Sequence, residues 1–279
     1  MTQSGIHPPV TSLIQTRTPT QRPQPTWDHC EVLGNRPIGD KYYRLTLSAP
    51  SITRSARPGQ FVMITVPSAP AGAATLPRPM AIHRRRWQEG TIEIVYGIKG
   101  AGSQGIAHIR PGTSLTVTGP LGVGFGIHPD TSHLLLLGRG IGVCSVMGVA
   151  EEAAQRGIRV TAILSGRNAD AVIGADDLLE LGLGPGVAVT DTDGTSAPEA
   201  LRKRLLSGEP AQQIMVCGSE RLAHLARELG TEWSADVQVS LEAHMACGLG
   251  YCHGCASAPS TSGSESALIC KDGPVFTLR

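Results

Sequence analysis

Several features that would place this 279-residue chain in another class of protein are scarce in its sequence. Aromatic residues make up only 4%, and the formal net charge is +1, so there is no basic surface of the kind that binds nucleic acid. The longest apolar runs are as short as residues 134–137, far below the length that crosses a membrane. We therefore expect no nucleic-acid partner and no membrane partner.

The sequence also lacks a catalytic triad, a pair of catalytic acids and a metal-hydrolase motif. This suits a protein whose cofactors perform the chemistry, so we predict no catalytic side chain. Glycine (34) and proline (20) are abundant and indicate tight turns between many short strands. The first 26 residues are polar, proline-punctuated and too poor in apolar residues to be a signal peptide, so we expect a flexible N-terminal extension.

Cysteine is uncommon, with seven residues, but four of them form a pattern near the C-terminus. The spacing C-x4-C-x2-C-x14-C is typical of a plant-type [2Fe–2S] cluster, in which two thiolates hold each iron. Glycines between the first three cysteines allow backbone N–H groups to turn toward sulfur, which helps to set the reduction potential. We predict that the cluster ligands are Cys247, Cys252, Cys255 and Cys270.

Two other interpretations of the four cysteines stay open. A tetrathiolate zinc site also needs four thiolates, although its usual signature is a pair of C-x2-C knuckles. Disulfides are a second possibility, against an odd total of seven cysteines and no secretory signal. The three remaining residues, Cys30, Cys144 and Cys217, are scattered, and we expect packed thiols in a reducing cytoplasm.

The rest of the chain shows two different sequence patterns, one after the other. Between residues 27 and 127, short strand-like segments alternate with Gly/Pro turns, which predicts a small antiparallel barrel. The predicted strands of this part are residues 43–47, 61–66, 92–96 and 114–117. From about residue 133 the pattern becomes α/β, with buried parallel strands separated by helices. Here the predicted strands are residues 134–137, 160–164, 187–190 and 214–216, with a helix over residues 146–155.

Two local motifs suggest phosphate binding. The turn G-R-G-I-G at residues 138–142 lies between a strand and a helix, where backbone N–H groups can hold a phosphate. Such glycines also occur simply because the chain must bend sharply, and this alternative stays open. In R-P-M-A-I at residues 78–82, Arg78 beside the rigid Pro79 can bind a diphosphate bidentately, or it can be a surface arginine before a turn proline.

The order of the motifs resembles the ferredoxin–NADP reductase superfamily. In detail it resembles the electron-transfer, iron–sulfur flavoprotein subunits of NAD-linked, two-component dihydroorotate dehydrogenase. The resemblance covers about residues 27 to 279. It rests on R-P-M-A-I, Y-G-I-K-G-A-G-S at 96–103, G-P-L-G at 119–122, G-R-G-I-G, C-G-S-E at 217–220 and the cysteine pattern.

The resemblance implies a multi-domain β plus α/β fold. It consists of an antiparallel FAD-binding β-barrel over residues 27–127, a Rossmann-like NAD(H)-binding α/β domain over residues 128–239 and a small [2Fe–2S] segment over residues 240–279. Residues 1–26 would precede them as the extension. Arg78 is implied to contact the FAD diphosphate. The other implied FAD-binding residues are Pro79, Met80, Ala81, Val95, Tyr96, Gly97, Gly102 and Ser103. Those implied for the nicotinamide cleft are Gly138, Gly140, Gly142, Cys217 and Gly218.

Two positions depart from the family pattern. Ala81 replaces a Ser or Thr whose hydroxyl usually faces the flavin N5 region, so only main-chain groups can serve there. Arg139 stands at the second position of a turn that is usually G-G-G-I-G. Its cation can lie near a dinucleotide phosphate or be solvated, and it does not decide between NAD and NADP.

The function implied is that of an NAD(H)-dependent oxidoreductase component in pyrimidine biosynthesis. It would pass electrons between NAD(H), FAD and the cluster, to or from a separate catalytic flavoprotein subunit, in a cytoplasmic heterotetramer of two plus two chains. One alternative is a paralogous NAD(P)H-dependent reductase that serves an oxygenase, a hydrogenase-type complex or a biosynthetic reductase. Another is a zinc-stabilised, nucleotide-binding regulator. No residue of this chain obviously binds orotate.

Overall fold

Two seven-stranded sheets and six α-helices form the part of the chain that the computed structural model describes, residues 7–17, 24–39, 41–66, 76–257 and 266–279. In chain order the strands are β1 (Ile14–Gln15), β2 (Thr26–Ile38), β3 (Tyr42–Ser48), β4 (Phe61–Ile64), β5 (Arg78–Ala81), β6 (Arg84–Arg86), β7 (Thr91–Gly97), β8 (Ser114–Leu121), β9 (His133–Arg139), β10 (Arg159–Gly166), β11 (Val187–Thr190), β12 (Gln213–Cys217), β13 (Asp236–Ser240) and β14 (Val275–Leu278). The helices are α1 (Pro50–Ser55), α2 (Ala101–Ala107), α3 (Val143–Gln155), α4 (Ala175–Glu180), α5 (Pro198–Leu206) and α6 (Glu220–Trp233).

The first sheet is an antiparallel barrel with the strand order β5-β4-β8-β2-β3-β7-β6. Apolar side chains alternate along its strands, so Leu45 and Leu47 of β3 both point into a buried core. The chain between β5 and β6 closes the barrel, because the Ile82 N–H donates to Gln60 on one side and the His83 N–H donates to Glu93 on the other. This crossing places residues 78–81 along one edge of the barrel.

The second sheet has the order β1-β14-β13-β12-β9-β10-β11. Five of its strands, β9 to β13, are parallel, with β11 at one edge, and β14 and β1 are antiparallel additions at the other edge. Residues 134–137 of β9 are all buried, as expected for a strand covered by helices on both faces. Parallel order brings the carboxyl ends of β9, β10, β11 and β12 to one edge of the sheet, which faces the barrel.

The structure confirms the predicted fold class. Every predicted strand overlaps an observed one, although β4 ends at Ile64, two residues before the predicted end. The predicted helix over residues 146–155 lies within α3, which begins earlier, at Val143. Within the residues described, no helix has both the length and the apolar character needed to span a membrane.

Both ends of the chain join the α/β sheet, which the sequence did not indicate. Residues 1–26 are predicted to be flexible, yet in their described part β1 pairs with β14 and Val10 is buried against α6. The cluster-binding segment is predicted to begin at residue 240, yet its last strand, β14, pairs with β13. The domain boundaries stay predictions, but these two strands bind the termini to one sheet.

Candidate functional site

One cleft of about 990 Å³ lies between the barrel and the carboxyl edge of the α/β sheet. A cavity of this size suits a cofactor or small-molecule site. It brings together most of the residues predicted to bind cofactors: Arg78, Pro79, Met80, Ala81, Val95, Tyr96, Gly97, Gly102, Ser103, Gly140 and Gly218. The other three, Gly138, Gly142 and Cys217, do not line it and lie behind its wall.

Arg78 crosses the start of helix α2 at the mouth of the cleft. A Cβ atom on Gly102 would lie 2.0 Å from the Arg78 Nε atom, so only glycine leaves room for the guanidinium there. In the part of the chain that the structure describes, Arg78 forms no ion pair. The cation therefore has donors free for an anionic ligand.

Ser103 has a structural task in the same turn. Its hydroxyl accepts hydrogen bonds from the N–H groups of Lys99 (2.9 Å) and Gly100 (3.2 Å), and it donates to the Gly100 carbonyl. This capping arrangement fixes the loop before α2. The groups left to face a ligand are the backbone N–H groups of the first helical turn, which have no intrahelical partner.

Tyr96 anchors helix α2 to the barrel from inside. Its buried hydroxyl donates to Asn35 Oδ1 at 2.9 Å, and the Asn35 amide donates to the carbonyls of Ile106 and Ile109. Burial raises the pKa of Tyr96 to about 12, so the phenol stays protonated. Tyr96 thus shapes the cleft by holding its neighbours in place.

The glycines of the G-R-G-I-G turn permit two strand–helix turns to touch. A Cβ atom on Gly142 would lie 2.6 Å from the Gly218 Cα atom, and one on Gly218 would lie 2.4 Å from the Arg139 carbonyl oxygen. Gly218 also has a φ of 118°, which disfavours any side chain. Close packing therefore accounts for Gly142 and Gly218, while Gly140 remains at the cleft surface.

Arg139 forms an ion pair that neither sequence interpretation foresaw. Its guanidinium binds both oxygens of Asp191 at the end of β11 (2.6 and 3.1 Å) and donates to Ser165 at the end of β10. Hydrogen bonds from Arg139 and Ser196 hold the pKa of Asp191 at about 2. The pair ties together three strand ends beside the cleft.

Sequence reasoning missed a group of side chains on the cleft floor: Tyr42, Cys144, Ser145, Ser240 and Glu242. The Cys144 thiol faces the Val95 carbonyl at 3.7 Å, and burial raises the pKa of that thiol. Behind it, Cys217 lies beside Ser145 and Ser240, and burial raises the Cys217 pKa to about 12. Residues 144 and 145 directly follow the G-R-G-I-G turn, a position that could have marked them.

The cysteine loop, residues 246–255, lies against the barrel and reaches the cleft. A Cβ atom on Gly248, whose φ is 70°, would lie 2.6 Å from the Met63 Cγ atom of β4. Ala246 and Gly254 of the same loop line the cleft. The fold therefore places the predicted cluster site next to the cavity.

The four thiols of the predicted cluster site differ in exposure. Cys252 is exposed, Cys247 is half-buried, and Cys255 and Cys270 are buried. Cys247 lies beside Cys252, and Cys255 lies beside Cys270. Backbone N–H groups also point at sulfur, with Leu249 N at 3.4 Å from Cys247 Sγ and Cys270 N at 3.4 Å from Cys255 Sγ.

Local donors also act on the acidity of the thiols. Burial alone raises the pKa of Cys247, but N–H groups of Cys252, Leu249 and Tyr251 lower it to about 6. Burial and the neighbouring Cys255 raise the pKa of Cys270 to about 12. No three His, Cys, Asp or Glu side chains among the described residues are arranged as a site for a single metal ion.

Comparison with known proteins agrees with this arrangement. Residues 242–279 match the family model for the iron–sulfur cluster binding domain of dihydroorotate dehydrogenase B. Among solved structures, that of an NADH-dependent reduced ferredoxin–NADP oxidoreductase has a TM-score of 0.73 at 23% identity, covering 90% of this chain and 88% of that one. Phthalate dioxygenase reductase has a TM-score of 0.58 at 16% identity, covering 74% and 65%. These structures show the fold.

Full-length relatives show the family. The chain is 31% identical over 251 residues to the dihydroorotate dehydrogenase B (NAD(+)) electron transfer subunit of Geobacillus kaustophilus, covering 88% of this chain and 94% of that protein. With the subunit of the same description from Streptococcus pneumoniae, it shares 30% over 250 residues, covering 88% and 94%. The chain therefore belongs to the family of dihydroorotate dehydrogenase B electron transfer subunits.

Proposed function

We propose that this chain carries electrons between NAD(H) and a separate dihydroorotate dehydrogenase catalytic subunit, using FAD and one [2Fe–2S] cluster. The proposal rests on one observation. The barrel, the carboxyl edge of the α/β sheet and the cysteine loop all line the same cleft. When bound, FAD exchanges a two-electron hydride with NAD(H) and single electrons with the cluster. The protein supplies binding, orientation and spacing.

The residues at the cleft mouth fit FAD. Arg78 has free donors and a fork geometry suited to a diphosphate, and the open N–H groups at the start of α2 lie beside it. Residues 79–81 and 95–97 would form the wall along the flavin. Ala81 can offer only its main-chain groups to the ring.

The opposite wall fits a nicotinamide nucleotide. Gly140 and Gly218 have no side chains, so the backbone itself forms this wall at the carboxyl edge of the sheet, where α/β folds bind ligands. Ser145 and Glu242 are polar groups on this wall, available to orient the nicotinamide ring. Gly138, Gly142 and Cys217 support that surface from behind.

The cysteine loop fits a [2Fe–2S] cluster. The thiols lie in two neighbouring pairs, and backbone N–H groups already point at two of the sulfurs. Such N–H groups stabilise thiolates and tune the potential of a bound cluster. Cys252 is exposed, so this ligand would lie on the side where a partner docks.

The assembly is a further part of the proposal. The partner is a catalytic flavoprotein subunit, and two copies of each chain form a heterotetramer in the cytoplasm. Seven cysteines without a disulfide suit a reducing compartment. We also propose the domain limits 27–127 for FAD, 128–239 for NAD(H) and 240–279 for the cluster.

The first prediction concerns FAD. Arg78→Ala should weaken FAD binding by roughly 1.5–3 kcal/mol, because a charge-assisted contact with the diphosphate is lost. Arg78→Lys should recover only part of the affinity, since a point charge cannot reproduce the fork. FAD affinity is measured by fluorescence titration of the apoprotein. Arg110→Ala, an exposed arginine of the same barrel, serves as the control, and equal affinities in the two alanine variants would show that FAD lies elsewhere.

The second prediction concerns the cluster. Cys252→Ser should lower the iron and sulfide content and remove the EPR signal of the reduced protein, while FAD stays bound. Cys30→Ala, which removes a thiol of the barrel core, should leave iron and signal intact. A full iron content and an unaltered signal in Cys252→Ser would contradict the ligand assignment. One zinc ion and no iron in the unmodified chain would favour the regulator instead.

The third prediction concerns the partner. The isolated chain should oxidise NADH with an artificial acceptor but should not interconvert dihydroorotate and orotate. Adding the catalytic subunit should establish that activity, with the proportion of the chains read from the mass of the complex. Orotate reduction by the isolated chain would contradict the assignment of that reaction to a separate catalytic subunit. If turnover requires a different acceptor protein, the cofactor assignment stands and the assignment to pyrimidine biosynthesis is wrong.

A further inference from the structure

Behind the cleft, a group of ionisable side chains joins the barrel to the α/β sheet; we call it the interdomain ion network. Its members alternate in sign across the boundary, and most of them are buried. Those of the barrel are Arg44, His83, Arg84, Arg86 and Glu93, and those of the α/β sheet are Glu151, Asp177 and Glu180.

Asp177 is the centre of this network. Its carboxylate, 3% exposed, is bound by both terminal nitrogens of Arg44 at 2.8 and 2.7 Å and by His83 Nε2 at 3.1 Å. Burial by itself raises the pKa of Asp177, but hydrogen bonds from His83 and Arg44 hold it well below its ordinary value. The short helix α4 is thus joined to the barrel by the bidentate ion pair of Asp177 with Arg44 and by the hydrogen bond with His83.

An outer set of contacts surrounds this centre. Glu180, one turn further along α4, binds Arg84 and Arg86, each at 2.7 Å. Arg86 also binds Glu93, which accepts from Arg44 at 2.6 Å. Arg84 also lies 3.7 Å from Asp177, so the contacts form a closed ring of charges between three strands of the barrel, β3, β6 and β7, and helix α4.

The elements that carry the network also build the cleft. On β3, Arg44 stands two residues from Tyr42, and on β7, Glu93 stands two residues from Val95, so each pair shares one face of its strand. Tyr42 and Val95 both line the cleft. Any shift of the network therefore moves a cleft wall with it.

On the cleft side, helix α3 makes a second contact with the barrel. The Cys144 thiol at the start of α3 faces the Val95 carbonyl of β7. Further along α3, Glu151 accepts from the Arg85 N–H at 3.0 Å and lies 3.6 Å from Arg84. Helix α3 thus touches the barrel at the cleft floor and again at the network, which makes the two positions mechanically dependent.

We infer that Asp177 is a positioning residue for hydride transfer: through Arg44 and His83 it sets the separation between the two walls of the cleft. The inference rests on the proposed function. Buried ion pairs add little net stability compared with apolar packing, but they favour one arrangement over its alternatives. Hydride transfer is sensitive to that arrangement, since a misplacement of about 1 Å can cost a factor of roughly 100 in rate.

The test is the anaerobic reduction of bound flavin by NADH in a stopped-flow instrument, comparing Asp177→Asn with the unmodified chain. Asparagine keeps the shape of the side chain and removes its charge. We expect the limiting rate constant to fall by roughly 10-fold to 100-fold, with a smaller change in the NADH concentration for half-maximal rate. Asp176→Asn, at the exposed neighbouring position of α4, should behave as the unmodified chain.

Two further readouts separate positioning from folding. FAD content and the EPR signal of the dithionite-reduced cluster should be unchanged in Asp177→Asn. The isotope effect with NADH deuterated at the transferred position should equal or exceed that of the unmodified chain, because hydride transfer limits the rate more strongly. A loss of rate that merely follows a loss of bound FAD would overturn the inference.

The remaining outcomes are also decisive. If NADH fails to reduce the flavin of the unmodified chain, the proposed function fails. If the unmodified chain is reduced and Asp177→Asn is reduced at the same rate, the positioning role alone fails. Should Asp177→Asn not fold, Glu180→Gln at the exposed rim is judged by the same criteria, with a smaller loss expected and an unchanged rate contradicting the inference.

Discussion

The bidentate contact between Arg44 and Asp177 links the barrel to the α/β sheet and constrains their relative position. Both side chains are largely buried, so the contact has one favourable geometry and little freedom to slide. The cleft exists because the barrel and the α/β sheet meet at this angle, with the carboxyl ends of the parallel strands facing the barrel edge. The residues proposed to bind cofactors come from both sides of that contact and are distant from one another in sequence.

The C-terminal segment adds a second constraint. Its last strand, β14, pairs with β13, and Gly248 packs on Met63 of the barrel, so the segment touches both sheets. The Val123 N–H also donates to the Gly273 carbonyl at the junction between the barrel and the segment. The C-terminal segment therefore contacts both sheets, and its cysteine loop lies beside the cleft.

Local patterns in the sequence were sufficient for much of this architecture. Cysteine spacing, strand periodicity and the order of the Gly-rich turns predicted the fold class, and 11 of the 14 cofactor-binding residues implied by the family resemblance line the cleft. What they could not supply was pairing over long distances. Arg139 meets Asp191 only because β10 lies between β9 and β11, and Ser240 reaches Cys217 only because β13 follows β12 in the sheet. The run Arg84 to Arg86 likewise gives no hint of its partners on α3 and α4, because those partners come from the other sheet.

The central claim is that one chain holds a continuous path from NADH through flavin to the cluster. An anaerobic titration of the isolated, cofactor-loaded chain with NADH tests it most directly, with visible absorbance reporting flavin and EPR reporting the cluster. We expect NADH to bleach the flavin and then to produce the reduced-cluster signal without any partner protein present. Flavin reduction with a cluster that stays oxidised under NADH, yet accepts electrons from dithionite, would contradict it.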